Sequence, residues 1–235
     1  IVGRSHFGRI VAVLIREGTK PRYFDLGSGL VTNVGVTAMA NDFNWAAPSA
    51  ASVATLKLSN QHSSGIGTTA ASASQITMVN TTGAPALVAG TQSLVSAANL
   101  QKYRTVATVA YTSALAITEW GLMTDTNLSD ATGSPATATT ATSLTATGTP
   151  YTASSTTVKG KQQFVVVPAT TLVYGLIISN TTSVLTIPAW YNVSDGTAGA
   201  TPGATEAFTI KPVMWDRKVF AAINVVSGDS IQFTY

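Results

Sequence analysis

The chain has 235 residues, and only 10% of them are Asp, Glu, Lys or Arg, against about 25% in an ordinary soluble domain. The net charge of +3 predicts no large electrostatic surface for nucleic acid, and the absence of cysteine excludes disulfides, thiolate metal sites and cysteine nucleophiles. A free monomer with so few charges would lack the usual protection against association. The composition therefore indicates a protein that assembles with copies of itself or with neighbours.

The beginning of the chain carries a strand signal and then a helix signal. Residues 10–15 are a β-branched run closed by a charged turn at 16–21, which predicts a buried strand. Residues 32–43 begin with a capping residue, continue with spaced apolar side chains and stop at Asn41 and Asp42. This pattern predicts one short helix.

The rest of the chain repeats short apolar or alternating runs between turn residues. These runs predict strands at 54–58, 75–79, 105–111, 116–123, 162–167, 172–179, 183–187, 207–210, 219–225 and 230–235. The rhythm predicts an all-β fold, an antiparallel β-sandwich or jelly roll with one short helix and extended arms.

The predicted organisation has two parts. Residues 1–25 form an N-terminal strand and arm, and residues 26–235 form a β-sandwich domain with a Thr- and Ala-rich arm and extra strands inserted at about 131–212. Residues 130–160 have hardly a large side chain, so we expect an arm held by neighbours or a flexible loop. The apolar stretch at 164–179 is interrupted by Pro168 and Gly175 and is too short for a bilayer span, so no membrane segment is predicted.

Motifs for catalysis and for cofactors are weak. The chain opens with Ile1-Val2-Gly3 and carries Gly228-Asp229-Ser230, as trypsin-like proteases do, but the two glycines that shape the oxyanion hole do not follow Ser230. His6 and His62 lie in unrelated contexts, and His62 is predicted to lie in a loop. Residues 125–130 lack the downstream Glu of a calcium loop, and no glycine-rich stretch has phosphate-binding form. The sequence therefore predicts no enzyme, no metal, no cofactor and no small-molecule substrate.

Two groups of charged residues stand out. Glu119 lies inside an apolar strand, where a general acid is one interpretation and a buried pair with Arg104 or Arg217 is favoured, because buried carboxylates need a partner. The N-terminal segment mixes basic with aromatic side chains. Such a mixture suits single-stranded nucleic acid, but docking of a terminal arm on an acidic protein neighbour explains it equally well, and nucleic acid is not favoured overall. The residues of this segment are Arg4, Phe7, Arg9, Arg16, Lys20, Arg22, Tyr23 and Phe24.

Several motifs, taken in order, resemble a family of tailed-bacteriophage virion proteins. The resemblance covers residues 30–124 and 213–235, and it departs from the family pattern between about 133 and 212. The motifs are residues 30–40 (LVTNVGVTAMA), 64–69 (SGIGTT), 103–108 (YRTVAT), 116–123 (AITEWGLM), 215–220 (WDRKVF) and 226–233 (VSGDSIQF). The resemblance implies a virion component, on either head or tail.

Physical reasoning gives these motifs roles. Glu119 and Arg217 are candidates for a buried pair, and Trp120, Trp215 and Phe220 are candidate core or interface anchors. Arg4 and Arg9 are candidate interface residues of the arm.

The leading expectation is a capsid decoration or cement protein on the virion surface. It would form a homo-oligomer, with a trimer favoured, and hold major capsid protein subunits through arms at 1–25 and 129–160. One alternative is a tail, fibre or baseplate component of the virion. Another is a carbohydrate-binding sandwich that uses Trp190, Tyr191 or Trp45 as a stacking platform.

Overall fold

Two β-sandwiches, built from four antiparallel sheets, make up the described part of the chain. The structure is a computed structural model, and it describes residues 8–43, 59–97, 100–124, 136–149, 151 and 164–235. The predicted all-β fold with one short helix is confirmed. The strands and the helix are β1 (Arg9–Ile15), β2 (Arg22–Ser28), β3 (Leu30–Val31), α1 (Asn33–Phe43), β4 (Gln61–Gly65), β5 (Val88–Ala89), β6 (Thr91–Ala97), β7 (Leu100–Ala110), β8 (Leu115–Met123), β9 (Ala136–Thr139), β10 (Ser143–Ala146), β11 (Phe164–Pro168), β12 (Val173–Leu176), β13 (Ser179–Asn180), β14 (Val184–Thr186), β15 (Trp190–Asn192), β16 (Phe208–Pro212), β17 (Met214–Val225) and β18 (Ser230–Thr234).

The first sandwich packs two five-stranded sheets face to face. Sheet I has the strand order β2-β1-β18-β7-β6, and sheet II has the order β3-β17-β8-β4-β5. Strand β1 shows why the sheets pack, since Ile10, Ala12 and Leu14 alternate inward and are buried. They meet Trp120 and Phe233, whose ring centroids lie 6.4 Å apart in the same core.

The second sandwich is formed by the segment inserted between β8 and β17. Sheet III has the order β15-β12-β11-β16, and sheet IV has the order β13-β14-β10-β9. Sheet III is buried on both faces, because Val166 and Val173 enter the second core whereas Val165 and Tyr174 enter the first. The two cores are therefore joined through one sheet.

Helix α1 contacts both the first sandwich and sheet III of the second sandwich. The Thr32 hydroxyl caps it by accepting a hydrogen bond from the Gly35 amide at 3.0 Å. Val34 and Ala38 pack into the first core, and the Thr37 hydroxyl lies 2.8 Å from the Tyr174 hydroxyl of sheet III. The helix predicted at 32–43 is confirmed, with Thr32 outside it as the cap.

Several strand predictions were wrong. Residues 75–79 form no strand, and the strands β2, β4 and β6 were missed because their sequences are rich in polar or glycine residues. Strand β15, which was also missed, is only three residues long. Strand β17 begins at Met214, five residues before the predicted start. The predicted strand at 54–58 lies outside the described residues.

The two predicted arms also need correction. Residues 9–28 are not a free arm, since β1 pairs with β18 and with β2 inside sheet I. Within the tract at 130–160, the described residues form β9 and β10, and Leu144 and Ala146 are buried in the second core. The large side chains that the tract lacks come from other strands, among them Trp190 and Phe208.

Candidate functional site

A buried ion pair lies at the centre of sheet II. Arg217 on β17 donates from Nε and Nη2 to Oε2 of Glu119 on β8, at 2.8 and 2.6 Å, and neither side chain is exposed. Arg104, the other predicted partner, instead donates to the Ser93 hydroxyl on the exposed side of sheet I. The structure therefore brings together Glu119 and Arg217 of the sequence-predicted residues.

The other hydrogen bonds of Glu119 and Arg217 hold the long loop at 66–87 in place. Glu119 accepts from the amides of Gly67, Val79 and Asn80 at 3.1, 3.2 and 2.7 Å. Arg217 Nη1 donates to the Thr69 carbonyl oxygen and to the Gln75 side chain. Every oxygen of the carboxylate is thus used, which is how a buried charge pair is made tolerable. The arrangement organises a loop and leaves Glu119 no free position for acid–base chemistry.

Two glycines make room for this carboxylate. A Cβ at Gly65 would lie 2.6 Å from Glu119 Oε1, and a Cβ at Gly67 would collide with the same oxygen. The Gly-Ile-Gly sequence therefore reflects close approach to Glu119, and not phosphate binding. The Gly-x-Gly spacing at 65–67 was a sequence feature that could have indicated close packing of this loop against another side chain.

A second buried polar cluster surrounds His62, which lies in β4 and not in a loop as predicted. Its Nδ1 accepts from the Trp120 indole at 3.1 Å, so Nε2 carries the proton and donates to the Thr105 hydroxyl at 3.1 Å. Burial lowers the pKa of His62 to about 4, which keeps the ring neutral. Tyr235 stacks on Trp120, with ring centroids 5.5 Å apart. Both imidazole nitrogens are occupied by structural partners.

Asp216 is a buried acid next to this cluster. Neither carboxyl oxygen has a partner in good hydrogen-bond geometry, although the Tyr235 hydroxyl and the amides of Leu30 and Arg217 face it. Burial raises the pKa of Asp216 to about 7, and it also raises the pKa of Tyr235. Asp216 is therefore a buried group whose protonation changes near neutral pH.

We expect Asp216→Asn to stabilise the protein at alkaline pH. The pKa of Asp216 is higher in the folded chain than in the unfolded chain, so folding binds a proton and stability falls as pH rises from about 4 through about 7. The Asn side chain does not ionise, so the variant should not lose stability in this way as the pH rises. Urea unfolding from pH 5 to 8.5 should show a difference between the two proteins that grows with pH. Asp25→Asn, at an exposed carboxyl whose pKa the Arg9 hydrogen bond lowers, is the control and should show no such growth. Parallel pH profiles for wild type and Asp216→Asn would contradict the assignment.

The Gly-Asp-Ser segment forms a turn with a structural carboxylate. Asp229 is 2% exposed and accepts from Arg16 Nε and Nη2 at 2.8 and 2.6 Å, and from the Val226 amide at 2.8 Å. Ser230 begins β18 and pairs with Ile15 and with Ala110. The turn therefore ties β1 to the β17–β18 connection and holds no catalytic pair with His62.

The other predicted residues are dispersed. Trp120 and Trp215 are buried in the first core, and Phe220 is half-buried against it, where β17 leaves its register with β8. Arg9 is exposed and pairs with Asp25 at one corner of sheet I. Arg4 lies outside the described residues.

The proposed carbohydrate platform is not supported at its main residue. Trp190 is only 3% exposed, and its indole donates to the Thr140 carbonyl oxygen at 2.9 Å. Tyr191 is half-buried and stacks on Tyr174, with centroids 5.7 Å apart. Trp45 lies outside the described residues. Trp190 therefore offers no free ring face for stacking on a sugar, and it is not available as the platform.

The surface of sheet I that points away from the first core has an uncharged centre and a few charged residues at its borders. We call this surface the outer face. Its residues are directly paired across β2, β1, β18 and β7, and the described charges on it are Asp25, which lies opposite Val11 and pairs with Arg9, and Arg104 further along β7. The uncharged residues between them are Val11, Val13, Ile15, Tyr23, Val106, Thr108, Ala110, Ser230, Gln232 and Thr234. Tyr23 is 76% exposed and Ile15 is 40% exposed. A β-sheet face of this kind is suited to contact with protein.

Other site types are not found in the described ranges. No group of three or more His, Asp or Glu residues is positioned to hold a metal ion there. The helical residues described include no segment both long and apolar enough to cross a bilayer.

No protein-family model matches the sequence, and no curated protein and no solved structure shows significant similarity to it. The resemblance to tailed-bacteriophage virion proteins therefore remains an expectation drawn from its motifs.

Proposed function

We propose that this chain is a non-enzymatic structural protein that works by assembling with copies of itself and with neighbouring proteins. The outer face is the observation that carries the proposal. It presents five paired strands with an uncharged centre, bordered by the mutually neutralising pair Arg9 and Asp25 on one side and by Arg104 on the other. Such a surface meets a protein partner with little desolvation of charge.

The internal polar groups support the same proposal. The residue types that could perform chemistry, Glu119, His62 and Asp229, are each held by several partners within the fold. Their hydrogen bonds tie loops and strand ends to the first sandwich. This use of polar residues favours a rigid scaffold over a reactive site.

The finer proposal is a tailed-phage virion protein, most specifically a capsid decoration or cement protein that oligomerises, with a trimer favoured. Its support is the order of the sequence motifs together with the charge-poor exterior. A tail, fibre or baseplate component is the alternative within the same particle. Electron microscopy of particles that carry a tagged copy distinguishes them: we expect density on the capsid surface. Density restricted to the tail would end the cement proposal, and absence from particles would end the virion proposal.

The outer face gives a direct test of assembly. We expect Val13→Glu to shift the purified protein toward monomer in sedimentation equilibrium, because the carboxylate would be desolvated at the contact. Val36→Glu is the matched control, since Val36 is 48% exposed on α1, away from sheet I, and should leave association unchanged. A wild-type protein that stays monomeric at its highest soluble concentration would contradict self-assembly.

A further inference from the structure

A basic groove opens at one end of the first sandwich, apart from the outer face. It lies between the β1–β2 turn and the end of β17, and its volume is about 360 Å³. The cations Arg16, Lys20 and Arg22 line it, and no carboxylate does. Thr19 and Asn224 add neutral hydrogen-bonding groups, and this size is within the usual range of ligand sites.

Two of the three cations are available to a ligand. Arg16 is bound to Asp229, which neutralises most of its charge. The ion pairs found within the described ranges include neither Lys20 nor Arg22. Arg22 is held in place because its guanidinium carbon lies 5.4 Å above the centroid of the Phe24 ring. The groove therefore presents two cations that belong to none of the ion pairs of the described residues, and one of them, Arg22, is held in place.

The walls of the groove are preorganised. Both the amide and the hydroxyl of Thr19 donate to the Arg16 carbonyl oxygen, at 3.2 and 3.1 Å. The bidentate contact of Arg16 with Asp229 fixes the start of the same turn against the β17–β18 connection. Little conformational freedom would be lost when a ligand binds, which favours recognition.

The shape and chemistry of the groove favour an acidic polypeptide over nucleic acid. Single-stranded nucleic acid needs aromatic platforms, but no aromatic residue lines the groove, and the exposed Tyr23 belongs to the outer face. Leu14 and Val226 line it as apolar walls, and Val226 is 45% exposed. Such walls match the aliphatic part of a Glu side chain, whose carboxylate would reach Lys20 or Arg22.

We propose that this groove binds an acidic segment of a neighbouring polypeptide, with carboxylates on Lys20 and Arg22. The inference rests on the proposed function, since it names the chemistry of the neighbour that the scaffold contacts. It also assigns Arg16, Lys20 and Arg22 of the basic N-terminal segment to one surface, which forms when β1 and β2 pair in sheet I.

Titration calorimetry with an acetylated oligoglutamate peptide tests the proposal at low salt. We expect the Lys20→Gln/Arg22→Gln double variant to bind the peptide at least about tenfold more weakly than wild type, and Asn224→Asp to weaken it by repulsion. Arg104→Gln removes one exposed positive charge elsewhere and should bind like wild type. Equal binding by the double variant, or no binding by wild type, would overturn the groove as a peptide site.

Two further probes separate the ligand classes. Inorganic phosphate and oligothymidylate are titrated into the same proteins, and we expect neither to displace the peptide. Displacement by phosphate would identify a general anion site, and tighter binding of oligothymidylate would identify a nucleic-acid site; either result overturns the proposed ligand. Localisation of the protein on particles together with failure of the peptide to bind would overturn the groove inference alone.

Discussion

Replacing Arg217 by Met should lower the free energy of unfolding by about 3–5 kcal/mol, because it leaves the Glu119 carboxylate buried without its counter-charge. The two hydrogen bonds from Arg217 Nη1 to the loop at 66–87 are lost at the same time. Urea unfolding followed by circular dichroism measures the change. We expect a lower midpoint with little change in the denaturant slope, since the folded state keeps its sheets.

Two variants show whether the unpaired charge causes the loss. Glu119→Gln/Arg217→Met keeps a carbonyl oxygen for the amides of Gly67 and Asn80 but removes the charge, so it should be more stable than Arg217→Met alone. Arg9→Met removes an arginine from an ion pair whose side chains are 71% and 52% exposed, and it should change stability little. If Arg217→Met matched Arg9→Met, the buried pair would not have the structural role described above.

The sequence allowed Glu119 to be recognised because a carboxylate within an apolar strand requires a partner. The partner could not be decided between Arg104 and Arg217, since that choice depends on how β8 pairs with β17. The loop at 66–87 was beyond sequence reasoning for a similar reason. Residues 75–79 alternate like a strand, but the amide of Val79 donates to Glu119, which is 40 residues away in the chain.

Buried polar residues explain the missed strand β4. Residues Gln61 to Gly65 read as a polar loop, yet His62, Ser63 and Ser64 are buried in sheet II. Their polar atoms find partners on distant segments, as His62 does with Trp120 of β8 and Ser64 with Tyr111, which directly follows β7. Local polarity predicts exposure only when such distant partners are absent.

The prediction of an arm or flexible loop at 130–160 was wrong for the described residues, and the reason is the opposite one. Its small side chains cannot build a core alone, which is correct as a local statement. Leu144 and Ala146 nevertheless become buried, because Trp190 and Phe208 supply the volume from strands about 40 to 60 residues further on. Small residues on β9 and β10 let sheet IV approach these large rings closely.

Replacing Trp190 by Ala should therefore act on stability and not on a binding surface. The ring fills the second core against Gly175, where a Cβ would lie 3.1 Å from the indole, and its loss should lower the free energy of unfolding by about 3–5 kcal/mol. Leu172→Ala is the matched control in the same sandwich, since Leu172 is 78% exposed and should change stability by less than about 0.5 kcal/mol. Thermal unfolding measures the stability change of each variant. Unchanged stability of Trp190→Ala, with loss of binding on a glycan array, would restore the carbohydrate interpretation.

The same variant tests how the two sandwiches are coupled. Val165 and Val166 are neighbours on β11, and they enter the first and second cores respectively. Unfolding of either core would therefore expose one apolar face of sheet III to solvent. We therefore expect Trp190→Ala to unfold in a single transition, with the fluorescence of the remaining tryptophans and the circular dichroism changing at the same midpoint. Trp120 and Trp215 report on the first core, so an early fall in circular dichroism followed by a later change in fluorescence would show that the second sandwich unfolds independently.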